Sequence, residues 1–87
     1  GPAIAARGDA AWVAWYTGAG RAPSVRLARS TDAGASFGGM REVAAGEAQQ
    51  GRVDLAADAS GVWMSWVQET GGRQSLWLAR FGAALDA

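Results

Sequence analysis

A chain of 87 residues and 8.9 kDa has room for one small domain, which buries only about 60% of the surface its unfolded form exposes. Eight arginines balance eight acids, which excludes a nucleic-acid partner recruited by bulk positive charge. Cysteine and histidine are both absent, so a disulfide framework, a thiolate or imidazole metal centre and any histidine-dependent catalytic triad are excluded as well.

The hydrophobic fraction of 49%, with five tryptophans, places the chain among folding sequences rather than disordered ones. No apolar run approaches the roughly 20 residues that a helical membrane span needs, and no secretory-signal pattern is read at the N-terminal end. No membrane partner is expected.

In chain order, a weak strand is expected at residues 3–6, followed by an aromatic and β-branched strand at 12–17. A glycine-bearing loop at 18–23 leads to a strand at 24–30, in which Val25, Leu27 and Arg29 share one side and Arg26 and Ala28 the other. The segment Ser30 to Phe37 has turn chemistry, and Met40 to Val43 reads as a fourth strand. Residues 44–51, bracketed by glycine and lacking an apolar stripe, read as a linker. Beyond it come a weak strand at 53–56, a strong one at 62–67, a loop at 69–73 and a strand at 75–81.

The second half repeats the first. A shift of 51 residues carries Trp12 and Trp15 onto Trp63 and Trp66, Ser24 onto Ser75, and Leu27-Ala28-Arg29 onto Leu78-Ala79-Arg80. Ten of the 36 comparable pairs are identical without a gap. Repeated short strands with turns between them predict an all-β chain of four-stranded antiparallel β-propeller blades. Residues 1–51 would form one complete blade and 52–87 a partial second one, together a single unit. A β-sandwich is the alternative that seven short strands also suit. The four repeat-matched tryptophans are expected in the core between blades. Trp77 has Arg26 as its counterpart and is expected to be the most exposed tryptophan.

The segment Ser30-Thr-Asp-Ala-Gly-Ala-Ser-Phe37 resembles the Asp-box, S-x-D-x-G-x-T-W, of the sialidase-like (BNR repeat) β-propellers. Ser30, Asp32 and Gly34 match outright, while Ser36 and Phe37 stand for Thr and Trp. The second unit has Phe81, Ala83 and Leu85 at the Ser, Asp and Gly positions, so its box is lost. Ser30 and Asp32 are expected to bond nearby backbone N–H groups, Gly34 to adopt positive φ, and Phe37 to pack under the turn. One carboxylate is too few for a calcium loop, and neither a metal nor a cofactor is expected.

The resemblance implies a sialidase site with three arginines on the substrate carboxylate, a tyrosine–glutamate nucleophile and an aspartate acid/base. No arginine here stands in the family's Arg-Ile-Pro context, and Tyr16, the sole tyrosine, lies inside a strand where packing is expected. No catalytic residue is carried over. The propeller layout instead nominates a carbohydrate-binding end containing Arg21, Gln68, Glu69, Arg73 and Trp77, where an aromatic face and charged side chains suit a sugar.

The expected function is that of a non-catalytic, carbohydrate-related module of a larger propeller, with the remaining blades as partners. One alternative is a small two-blade lectin that closes a ring with copies of itself. Another is part of an exo-sialidase whose catalytic residues lie outside this chain. Family habit implies an exported bacterial protein.

Overall fold

The computed structural model describes residues 2–18, 23–46, 49–83 and 85, without the side chains of 49–51. The described residues are all-β, in two antiparallel sheets. Sheet 1 is the meander β1 (Ala3–Arg7), β2 (Ala10–Thr17), β3 (Ser24–Ser30) and β4 (Gly38–Ala45). Sheet 2 is the meander β5 (Gln49–Asp58), β6 (Gly61–Thr70) and β7 (Arg73–Gly82). Within each sheet every strand pairs with its neighbour in sequence, and among the described residues no strand crosses from one sheet to the other.

The strands run further than the sequence suggests. Ser24 pairs with Ala45, carrying β4 into the stretch expected as a linker, and Gln49 pairs with Gln68, starting β5 within that same stretch. A partner strand with free backbone groups extends its neighbour regardless of local propensity. The expected loop at 69–73 shrinks in the same way. Gly71 and Gly72 both take positive φ (60° and 77°), the conformation of a type I′ turn, so the β6–β7 ladder continues to the pair Thr70–Arg73.

The two sheets pack face to face, with β5 lying against β1 and β2. Sheet 1 contributes Trp12, Ala14, Val25 and Leu27 to the core, and sheet 2 contributes Val62, Met64, Trp66 and Phe81. Two polar contacts tie the end of sheet 2 back to sheet 1. Trp12 Nε1 donates to the Ala83 carbonyl at 3.4 Å, and Arg41 Nη1 donates to the Leu85 carbonyl while its guanidinium covers the Phe81 ring.

The expectation that all four repeat-matched tryptophans share the core is corrected. Trp12 and Trp66 are buried there, whereas Trp15 is half-buried and Trp63 is exposed on the far faces of their sheets. Residues three apart on a strand point to opposite faces, so a Trp-x-x-Trp strand cannot aim both rings inward. Faces that are equivalent under the 51-residue shift therefore do not meet. The Trp12 face of sheet 1 packs against the face of sheet 2 that matches sheet 1's own outer side.

Candidate functional site

The connection between β3 and β4 is organised around one carboxylate. Ser30 Oγ donates to Asp32 Oδ1 at 2.6 Å and accepts the Gly34 amide at 2.9 Å. The Ser36 amide donates to Asp32 Oδ1 at 2.9 Å, and the Ser36 hydroxyl to Asp32 Oδ2 at 2.6 Å. Gly34 has φ of 91°, the left-handed conformation expected of it, and Ala33 before it stands at 57°. The Ala33 amide donates to the Asp9 carbonyl at 2.9 Å, anchoring this turn to the one between β1 and β2.

Hydrogen bonds from Ser30 first, then from the Ser36 hydroxyl and amide, hold the Asp32 carboxyl at about 2 against an ordinary 3.8. Both of its oxygens are engaged within the turn. Phe37 departs from expectation: it is exposed rather than packed underneath, because β4 is an edge strand and Gly38 and Gly39 beside it offer no side chain to pack on.

The corresponding segment of the second unit has lost the hydrogen-bonding residues but keeps the chain path at one position. Leu85, in the place of Gly34, also has positive φ (65°), and its amide donates to the Gly82 carbonyl at 2.8 Å. Left-handed backbone costs a leucine about 1–2 kcal/mol. Here that cost is offset by burial, since the Leu85 side chain fills the inter-sheet core.

The expected sugar-binding residues lie at the other end of the sheets, around the β6–β7 hairpin. Strand register puts Gln68, Arg73 and Trp77 on the face that also carries Trp66, and Glu69 on the opposite face beside Gln74. Gln74 Nε2 donates to Glu69 Oε1 at 3.5 Å. Trp77 is 49% exposed and stacks on Trp66, with ring centroids 6.4 Å apart and planes inclined by 17°. Arg21 lies outside the described residues. Three of the five nominated residues thus share one face, which carries an exposed indole, an amide and a guanidinium. Tyr16 is half-buried and packed against the core.

Sequence reasoning missed a second aspartate-centred turn. Asp58 Oδ1 accepts the Ser60 amide at 2.8 Å and the Gly61 amide at 2.9 Å, and Oδ2 accepts Trp63 Nε1 at 3.2 Å. Arg80 pairs with Asp58 at 3.5 Å, donates to the Ser60 hydroxyl and lies over the Trp63 ring. The Ser60 amide above all holds the Asp58 carboxyl below its ordinary range. The pattern Asp58-Ala-Ser-Gly61 was the available signal, an Asx-type turn between two strands. It passed unnoticed because the first unit has Arg7-Gly-Asp-Ala10 in its place.

Comparison with family models, with curated proteins and with solved structures finds no match to this chain.

Proposed function

We propose that this chain is a scaffold unit of a sialidase-like Asp-box β-propeller, non-catalytic by itself, that offers the β6–β7 hairpin as a weak carbohydrate-binding surface. The observation carrying this reading is the meeting of unlike faces. In a sandwich built from two copies of one sheet, equivalent faces turn toward each other, and Greek-key connections interleave the sheets. Here the two sheets are separate meanders, and the Trp12 face of sheet 1 packs on the Trp66 face of sheet 2, which under the 51-residue shift corresponds to the opposite face of sheet 1. Propeller blades follow that rule. The Ser30–Asp32–Gly34–Ser36 hydrogen bonds at the β3–β4 corner, at the opposite end of the sheets from the hairpin, support reading that turn as an Asp-box.

For the carbohydrate part, Trp77 supplies an apolar ring face, and Gln68 and Arg73 supply donors for sugar hydroxyls or a carboxylate. Titration with a panel of neutral and sialylated oligosaccharides, followed by tryptophan fluorescence, tests it. Saturable quenching that Trp77→Ala abolishes and Glu69→Ala leaves intact is the expected result. An unchanged signal across the panel, or binding indifferent to Trp77, overturns the carbohydrate assignment.

A further inference from the structure

We infer that the outer face of sheet 2 is a docking surface for the outer face of sheet 1 on a second copy of this chain. The inference deepens the proposed reading by naming the partner, and it takes from that reading the rule that sheets stack with unlike faces together.

Between the Asp58–Arg80 pair and the Glu69–Gln74 pair, the outer face of sheet 2 carries an uncovered apolar patch. Leu76 is 75% exposed, Leu78 64% and Trp63 40%, with Val67 beside them. A shallow depression on this face is lined by Asp54, Ala56, Trp63, Ser65 and Leu78. Exposed apolar residues scattered singly need no explanation, but three large ones on adjacent strands of one face form a patch.

The repeat identifies what covers such a face. Under the 51-residue shift Trp63, Leu76 and Leu78 correspond to Trp12, Val25 and Leu27, all of them buried. What buries those three is sheet 2, through a surface built around Leu55, Met64 and Trp66. The same shift returns that covering surface to Ile4, Val13 and Trp15, which lie on the outer face of sheet 1, where Ile4 is exposed and Val13 and Trp15 are half-buried. Each chain therefore carries a receiving face and the counterpart of the surface already seen to fill it. Joining them between copies repeats the packing seen within the chain. The contact is heterologous, head to tail, so it either closes into a ring or grows without limit according to the rotation at each step.

The test uses two substitutions at exposed positions, each disabling one face: Leu78→Glu on sheet 2 and Ile4→Glu on sheet 1. Circular dichroism first confirms that both variants keep the β-sheet spectrum of the parent. Light scattering and sedimentation velocity, from micromolar to about 100 µM, then give the mass. The parent chain is expected to associate with rising concentration, each variant alone to stay monomeric, and an equimolar mixture of the two to stop at a dimer. The mixture retains one intact pair of faces, so only head-to-tail docking rescues it. A monomeric parent over the whole range overturns the inference. An Ile4→Glu variant that still dimerises overturns it in favour of two sheet 2 faces meeting symmetrically. Open-ended growth of the parent supports the docking while counting against a propeller, so the two readings fail separately.

Discussion

Asp32 has both carboxylate oxygens engaged by serine donors, and its pKa of about 2 records how strongly the folded turn prefers the anion. A carboxyl held below its unfolded value stabilises the fold fully above about pH 4, and that contribution is lost as the pH falls through the folded pKa. Asp58 shifts in the same direction through the Ser60 amide, so the two add. Thermal melts between pH 5 and pH 2 should show a steep loss in the parent and a shallower one in Asp32→Asn. At neutral pH, Asp32→Ala should lower Tm by a few degrees while leaving any sugar affinity unchanged. A different residue-scale constraint acts at Gly61, where an added Cβ would collide with the Phe81 carbonyl oxygen across the ladder. Backbone cannot yield as a flexible side chain does. Gly61→Ala should cost about 3 kcal/mol, the upper part of the overpacking range, read as a lowered urea midpoint.

At the scale of the element, every strand was readable from local chemistry. Aromatic and β-branched content marked β2 and β6, glycine and proline marked their ends, and the 51-residue shift aligned the weaker strands with each other. The strand ends were not readable, because partner strands set them: Ala45 and Gln49 join ladders through Ser24 and Gln68 rather than through their own propensities. The burial of the tryptophans was half readable. Period-two alternation separates Trp63 from Trp66, but which face turns inward depends on how the sheets stack. Of the hairpin residues, the common face of Gln68, Arg73 and Trp77 followed from register once the two-residue turn was known, and Glu69 fell on the other side for the same reason. Repeat-matched leucines offer a direct measure of the stacking. Leu27→Ala should cost about 2–5 kcal/mol, since that side chain is fully buried, whereas Leu78→Ala should change the stability of the monomer by less than about 0.5 kcal/mol. Urea denaturation of both variants at low protein concentration makes the comparison.

For the whole molecule, splitting a glycoside needs two groups held across the scissile bond, and Tyr16 packed against the core is badly placed for either task. Incubation with a fluorogenic sialoside should give no turnover above a heat-killed control. Turnover that Tyr16→Phe removes would reverse this assignment. The meander connectivity also dictates an order of events during folding. Within each sheet every strand pairs with its chain neighbour, so each hairpin closes a short loop at small entropic cost, and such local contacts are expected to form early. The contacts spanning the longest stretches of chain are those between sheets, among them Trp12 to Ala83 across 71 residues and Arg41 to Leu85 across 44. They are expected to form after the barrier. Weakening them by Trp12→Phe should therefore speed unfolding while leaving the refolding rate nearly unchanged, a difference that stopped-flow fluorescence resolves as a shift in one limb of the chevron only.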